Sequence, residues 1–317
     1  MACAFSAIHF PALHSNLFFF FKKEKDFHCN RGYKANKRNK MKLKIAILLL
    51  LTNLISAQIK GVVKDSITGK PISFVNIWVE NENIAATTEE DGTFVINTTS
   101  KSQKLFFSAL GFEKKSIKLA EASMVNLKPI SYELQEINIL KKLETKQIEI
   151  GKTASGIYQA FDNGPKIDVK FFPYKPSYKK TKFIKQLRLQ TDSKVENATV
   201  KIHFYTVNPD CSPGEELLKK DLIITVKKGV NNSRVNLSER NLIIPKNGLY
   251  VGFEKLNIES NKEGKSYYPF VLYSHDEKYF AYTFSGGKWN KETRLANDGS
   301  LAMFRVFEPA INLILSN

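Results

Sequence analysis

The chain has few of the residues on which catalytic and metal sites depend. Of its three cysteines and five histidines, only Cys211, His203 and His275 lie beyond residue 57. Neither histidine begins the His-x-x-Glu pair typical of zinc carboxypeptidases. The chain also lacks a Gly-x-Ser-x-Gly elbow and a phosphate-binding glycine loop. We therefore predict a protein that is not an enzyme, with no catalytic residue, no metal site and no cofactor.

One enzyme class stays open at this point. The two carboxylates of a glycosidase are defined by their separation in space, so sequence spacing does not test for them. His275, followed by Asp276 and Glu277, is more simply a polar loop than a metal site. The lone Cys211 lies among proline, serine and glycine, which indicates a surface loop, and it has no cysteine partner beyond residue 57.

Long apolar runs are also scarce, and the most informative of them is short. Residues 41–57 combine a basic start, an apolar stretch of about ten residues and a terminal Ala57, the order of a secretory signal peptide. A stretch of this length does not span a bilayer comfortably; a retained N-terminal anchor is the alternative. We predict an unstructured or spurious extension at 1–40 and export of a chain starting at Gln58. Its expected location is the periplasm, the outer membrane or the cell surface.

The net charge of +17 would suit a nucleic-acid-binding protein, but its distribution argues against one. Nearly half of the excess lies within residues 1–57. The remainder is spread through interspersed lysines and glutamates, which is typical of a solvated surface. No basic helix or aromatic-plus-arginine platform accompanies it. We predict no nucleic-acid partner.

From Gln58 onward the pattern is that of short strands separated by turns. Within 72–80, Val75, Ile77 and Val79 alternate with Phe74, Asn76, Trp78 and Glu80, so the aliphatic set is predicted to face the core. Asp91 and Gly92 form an acidic turn that leads directly into Phe94, which predicts a hairpin with Gly92 at positive φ. Further strands are predicted near 59–64, 93–97, 104–112, 116–119 and 125–127.

These turns and strands together carry a family resemblance. The matching segments are Gly61 to Val63, Asp65, Thr68 to Ile72, Val75 to Ile77, Thr87 and Thr88, Asp91 to Phe94, and Leu110 to Phe112. In this order they resemble the carboxypeptidase-regulatory-like family, over residues 58–140. The resemblance implies a transthyretin-like seven-stranded β-sandwich and a non-catalytic module of the kind found beside other domains in secreted and outer-membrane proteins. A family fold does not by itself transfer an activity.

A second β-domain is predicted after a polar linker at 141–152. Across 153–317, alternating stretches such as 198–207 indicate several strands, and a bulge or register change is expected near Lys185. The strand number and length favour a jelly-roll-like sandwich. The overall fold class is therefore all-β, with two sandwiches in series.

One stretch of the second domain offers a candidate ligand site. Phe280, Tyr282 and Phe284 share one strand face, the pair Gly286 and Gly287 predicts a hairpin turn, and Trp289 and Asn290 follow. The aromatic side chains either form an exposed row that stacks on sugar rings or pack the sandwich core or its end. In the first case Asn290, Glu292 and Arg294 are close enough in sequence to bond the sugar hydroxyls. We predict an exported, non-catalytic envelope protein that acts as a binding or structural adaptor. The alternative is a carbohydrate-binding surface protein, so the expected partner is an envelope protein or a glycan.

Overall fold

Strands make up nearly all the regular structure of the residues that the structure describes. The computed structural model describes residues 58–98, 104–130, 143, 145–151, 159–160 and 164–317. The predicted extension at 1–40, the signal peptide at 41–57 and part of the linker at 141–152 lie outside these residues. Within the described ranges the only helices are four short 3-10 turns: Leu119–Glu121, Pro176–Lys180, Ser238–Arg240 and Glu259–Asn261.

The described residues contain 24 strands. In chain order they are β1 (Gln58–Asp65), β2 (Asn76–Val79), β3 (Ala85–Thr87), β4 (Thr93–Asn97), β5 (Lys104–Ser108), β6 (Lys115–Lys118), β7 (Met124–Leu127), β8 (Gln147–Ile150), β9 (Gln159–Ala160), β10 (Ile167–Phe172), β11 (Phe183–Ser193), β12 (Ala198–Val207), β13 (Pro213–Glu216), β14 (Leu222–Val226), β15 (Gly229–Asn236), β16 (Leu249–Lys255), β17 (Lys262–Glu263), β18 (Ser266–Tyr267), β19 (Phe270–Lys278), β20 (Phe280–Ser285), β21 (Lys288–Leu295), β22 (Leu301–Ala302), β23 (Phe304–Pro309) and β24 (Ile311–Ser316).

The first seven strands form a sandwich of two small sheets. One sheet has the order β4-β1-β7 and the other β3-β2-β5-β6. Strand β1 pairs antiparallel with β4 and parallel with β7. Val63, Ile77, Phe94 and Phe107 lie between the sheets with almost no exposure. The predicted seven-stranded sandwich is thus confirmed over the described part of residues 58–130.

Strand β2 buries both of its faces. Val75, Ile77 and Val79 point into the first sandwich, as the alternation predicted. Trp78, on the opposite face, is only 3% exposed because it packs against the second sandwich. The strand is shorter than predicted and begins at Asn76, since Phe74 has φ of 55° and interrupts the extended backbone.

The acidic turn differs from its prediction in one respect. Gly92 has the expected positive φ of 76°, and Asp91 Oδ1 accepts hydrogen bonds from the backbone N–H (2.9 Å) and hydroxyl (2.6 Å) of Thr93. However, β3 pairs with β2 and β4 pairs with β1, so the turn crosses between the two sheets. The hairpin prediction was wrong because local turn chemistry specifies a reversal but not the strand that pairs next.

The second sandwich consists of two larger sheets. One follows the order β13-β12-β16-β10-β20-β21-β22, with β14 also paired to β12; the other follows β23-β19-β11-β24-β8, with β15 paired to β11 and β9 to β19. Leu187, Phe204, Val251 and Leu313 are buried in the core between them. This two-sheet arrangement agrees with the predicted all-β sandwich.

Two local features were anticipated in this sandwich and one was not. The β11–β24 register shifts between Ile184 and Gln186, which confirms the irregularity predicted near Lys185. The Gly286–Gly287 turn joins β20 to β21, with both glycines at positive φ. In contrast, Gln147–Ile150, assigned to the linker, forms β8 and pairs with β24, so the second sandwich recruits a strand from before residue 153.

Candidate ligand-binding cleft

A cleft of about 690 Å³ opens in the second sandwich where two neighbouring strands separate. Strands β10 and β20 are antiparallel but pair only at Ile167↔Phe284 and Asp168↔Thr283. Continuing that register would bring Val169 to Tyr282 and Phe171 to Phe280, yet these residues line the cleft. Beyond the two paired positions, β10 is held by β16 and β20 by β21. The cleft therefore begins where the sheet loses its continuity.

The outer wall of the cleft is aromatic. Phe171 and Tyr250 lie side by side on β10 and β16, with ring centroids 5.1 Å apart. Tyr282 packs edge-on against Tyr250 at 5.9 Å, and Phe280 packs against Tyr282 at 5.7 Å. Since side chains two residues apart share a strand face, this group lies on the side of the sheet that points away from the sandwich core.

The inner wall is polar. Asp168 accepts hydrogen bonds from the hydroxyl of Tyr273 (2.5 Å) and from that of Thr283 (3.1 Å). Glu308 is buried and forms ion pairs with Lys278 and with Lys170, at 3.2 Å in the second case. Asp168, Tyr273, Lys278 and Glu308 all line the cleft. One wall thus offers apolar faces, and the other offers fixed charges.

Lys170 supports this inner wall from behind. It is only 4% exposed, and its ammonium donates to the Gly151 carbonyl at 2.8 Å while pairing with Glu308. Burial lowers the pKa of Lys170, and the charge of Glu308 opposes that shift. The carboxylate of Glu308 is thereby held in place by two lysines.

The predicted site residues are divided between the cleft and other surroundings. Phe280 and Tyr282 line the cleft. Phe284 instead packs edge-on against Trp78 of the first sandwich, with centroids 5.4 Å apart. Trp289 contacts Phe284 at 5.3 Å and Tyr205 at 5.2 Å. The aromatic row is therefore divided: Phe280 and Tyr282 lie at the cleft, and Phe284, at the other end of the row, is covered by the first sandwich.

Asn290 has a structural position in the hairpin. Its amide donates to the Ser285 hydroxyl (3.0 Å) and to the backbone carbonyls of Ser285 and Lys288 (both 3.3 Å). These bonds cross the Gly286–Gly287 turn and orient the side chain toward it. Asp91 and Gly92, predicted as a structural turn, lie in the first sandwich in the turn described above.

The junction between the sandwiches contains a buried ionic network that sequence reasoning missed. His203 lies between two carboxylates, with Nδ1 2.9 Å from Glu216 and Nε2 2.8 Å from Glu254. Glu254 also accepts a 2.8 Å bond from the amide of Asn76 in the first sandwich. Nearby, the Lys201 ammonium donates to the Phe74 carbonyl at 2.8 Å and pairs with Asp221 at 3.3 Å.

The electrostatics of this network favour charged forms. Burial alone would lower the pKa of His203, but hydrogen bonds and charges from Glu216 and Glu254 outweigh it and raise the pKa to about 9. Burial raises the pKa of Glu254, and His203, Lys201 and Asn76 together bring it below its ordinary value. Both His203 nitrogens face carboxylates, so the ring is an imidazolium that donates two hydrogen bonds.

A weak signal for the network was present in the sequence. Lys201 and His203 alternate with Val200, Ile202 and Phe204 along β12, which places two cationic groups on the non-core face of a central strand. Cationic side chains on one strand face usually point to solvent, so this pattern does not predict burial or the partners Glu254 and Asn76. The polar wall of the cleft had no comparable signal, because Asp168, Lys278 and Glu308 are far apart in the chain.

Comparison with known protein families identifies the first sandwich. Residues 59–149 match the CarboxypepD_reg-like domain family. The match confirms the resemblance inferred from the turn motifs. It extends past the predicted boundary at residue 140 and includes most of β8, which pairs within the second sandwich. The chain is thus an all-β protein that carries a CarboxypepD_reg-like domain.

Three solved structures are distantly similar to the chain. The cysteine protease and lectin-like domains of Cwp84, a surface layer associated protein of Clostridium difficile, align at 11% identity and a TM-score of 0.32, covering 77% of this chain and 59% of that one. A DUF3823 family protein from Parabacteroides merdae aligns at 14% and 0.19, covering 68% and 95%. The infectious bursal disease virus Gx strain structure aligns at 9% and 0.23, covering 82% and 78%. A comparison with curated protein sequences finds no match.

Among the described residues, none of the helices has the length and apolarity needed to cross a membrane.

Proposed function

We propose that this protein is an exported, non-catalytic binding adaptor that holds its partner in the cleft between β10, β20 and β23. The observation that supports the proposal is the cleft itself. Its volume of about 690 Å³ falls in the range of small-molecule sites, which combine apolar walls with a few placed polar groups. The CarboxypepD_reg-like domain would then act as the attached structural module.

The state of two of the cleft carboxylates, Asp168 and Glu308, supports binding rather than catalysis by these residues. A general acid or nucleophile must be able to reach its substrate. Asp168 is engaged by two hydroxyl groups, and Glu308 is buried between Lys170 and Lys278. Because these contacts hold Asp168 and Glu308 in place, we infer that the two carboxylates give the cleft wall its shape and its charge. We infer that the cleft recognises its ligand without altering it.

Export is supported by the order of basic, apolar and small residues at 41–57. We expect intact-mass analysis of material recovered outside the cytoplasm to give the mass of a chain that starts at Gln58. Exported protein that retains residues 1–40 would contradict this cleavage.

Carbohydrate binding is the second candidate. Phe280 and Tyr282 supply ring faces in the cleft, and Glu292 and Arg294 line it as possible partners for hydroxyl groups. However, the Lys291 ammonium lies 4.9 Å from the Phe280 centroid and 5.7 Å from that of Tyr282. A sugar ring stacking on the same faces would have to displace this cation–π contact. A carbohydrate is therefore a less favoured ligand than a partner that leaves the cation–π contact of Lys291 in place.

Filling the cleft provides the test of binding. Ala281 lines the cleft on β20, so Ala281→Phe places a ring in the space that a ligand would occupy. Val230→Phe is the matched control, because Val230 is 71% exposed on β15 and outside the cleft lining. On glycan and peptide arrays, we expect Ala281→Phe to weaken wild-type binding by about tenfold or more, or 1.4 kcal/mol, and Val230→Phe to leave it unchanged. Absence of binding by the wild type, or binding that survives Ala281→Phe, would contradict the proposal.

A further inference from the structure

Strands β10 and β20, two of the strands that border the cleft, pair with each other at only two positions among the described residues. In an antiparallel sheet, alternate N–H and C=O groups of a strand point to each neighbour. On β10, residues 169–172 pair with β16, and Val169 and Phe171 line the cleft. Residues 280–282 of β20 pair with β21 and, within the part of the chain that the structure describes, with no other strand. Both edges therefore present alternating donors and acceptors across the same space. Exposed strand edges are templates for an added strand.

The walls of the cleft match the two faces that an added strand would have. Side chains of a strand alternate between faces. On the outer side of the sheet lie the rings of Phe171, Tyr250 and Tyr282. On the inner side lie Asp168 and Glu308 with their partners. A strand entering the gap would thus meet apolar surface with every second residue and charged surface with the others.

We propose that the cleft binds an extended peptide that adds as a strand between β10 and β20 and alternates apolar with polar or charged residues. The inference rests on the proposed binding function and names the class of its ligand. Because β10 and β20 are antiparallel, the inserted strand runs antiparallel to one and parallel to the other. Main-chain hydrogen bonds to the edges supply affinity, and the alternate walls supply specificity.

A peptide uses this cleft more completely than a glycan does. A sugar lacks the evenly spaced N–H and C=O groups that would satisfy a strand edge. An inserted peptide strand also leaves Lys291 over the rings of Phe280 and Tyr282, since its own side chains can pack against the Phe171 and Tyr250 side of the wall. The backbone geometry and the cation–π contact thus both favour a peptide ligand over a glycan.

The test uses the full chain and a displayed library of random peptides about ten residues long, the upper length of a typical strand. Selected peptides are synthesised and their affinity is measured by fluorescence anisotropy. Each is then remade with single N-methyl groups, which remove one backbone donor at a time while keeping the side chains. We expect methylation at alternate positions to weaken binding by about tenfold or more, with the intervening positions less sensitive. Ala281→Phe should abolish binding, and Val230→Phe should preserve it.

The outcomes separate this inference from the proposed function. Peptides that bind in the cleft, as judged by Ala281→Phe, but tolerate N-methylation at every position would overturn strand addition and leave the binding function standing. Binding of glycans in the cleft, without selection of any peptide, would also overturn strand addition and leave the binding function standing. If neither probe binds the wild-type chain, both the inference and the proposed function are wrong. Because the methylated peptides are tested on unaltered protein, a folding defect in a variant does not obscure the result.

Discussion

Replacing Glu254 with alanine is expected to lower the free energy of unfolding by about 3–5 kcal/mol, the usual cost of removing one partner from a buried ion pair. Glu254 is 5% exposed and accepts hydrogen bonds from His203 and Asn76. Its loss leaves the cation of His203 with one carboxylate fewer and removes a negative charge that neighbours Lys201 in the junction. Urea denaturation of both proteins near pH 6 measures the difference.

Glu215→Ala is the matched control for this experiment. Glu215 is exposed on β13, next to Glu216, and its own carboxylate has no contact with His203 among the described hydrogen bonds and ion pairs. Its replacement should change the free energy of unfolding by no more than about 0.5 kcal/mol. Equal effects of the two substitutions would show that the junction network does not stabilise the protein.

The same network sets a pH dependence with a defined sign. The folded-state pKa of His203, about 9, lies above its ordinary value near 6.5, so its contribution is fully present below pH 6.5 and is lost as the pH rises through 9. This contribution of His203 to the free energy of unfolding is on the order of 3 kcal/mol. Glu254 has a lowered pKa, so its contribution is present above pH 4.5 and is lost in acid. Wild-type stability should decline between pH 6.5 and 9, and Glu254→Ala should flatten that decline.

The second large effect is expected from Gly92→Val in the first sandwich. Gly92 has φ of 76°, which a β-branched residue adopts only with strain of about 1–3 kcal/mol. A Cβ atom there would also lie 2.7 Å from the Val63 carbonyl oxygen and 2.8 Å from Cβ of Pro71. Both contacts involve parts of the chain with little freedom to move. We expect the first sandwich to unfold in a transition of its own, and the midpoint of that transition should fall by about 4–8 °C for each kcal/mol lost.

Gly69→Val separates backbone strain from steric contact. Gly69 also has a positive φ, 69°, but a Cβ atom at this position would have no heavy atom within 4 Å beyond its chain neighbours. The excess destabilisation of Gly92→Val over Gly69→Val therefore measures the contacts with Val63 and Pro71. Hydrogen exchange should show lost protection in β1 and β4 with retained protection in β11 and β24. Equal melting temperatures for the two variants would contradict the described packing of the turn.

Much of the local structure could be predicted from the sequence because it depends on local constraints. The alternation along 198–207 predicted β12 with the bounds that the structure shows, and the irregularity near Lys185 is present. Gly92 takes positive φ, and the Gly286–Gly287 pair forms a hairpin turn. A strand's period and a turn's backbone angles are properties of a few consecutive residues. For the same reason, the turn motifs sufficed to indicate the CarboxypepD_reg-like domain.

The tertiary structure alone decided which strands became neighbours, and the candidate site depends on that choice. Phe280 and Phe284 share a strand face, yet one lines the cleft and the other contacts Trp78, because the first sandwich covers only part of the sheet. The cleft exists because β10 and β20 stop pairing after two positions. His203 meets Glu254 across 51 positions of sequence. Such contacts result from the packing of whole sheets. The residue pattern of a single strand can predict that one of its faces is buried, but it does not predict which residues pack against that face.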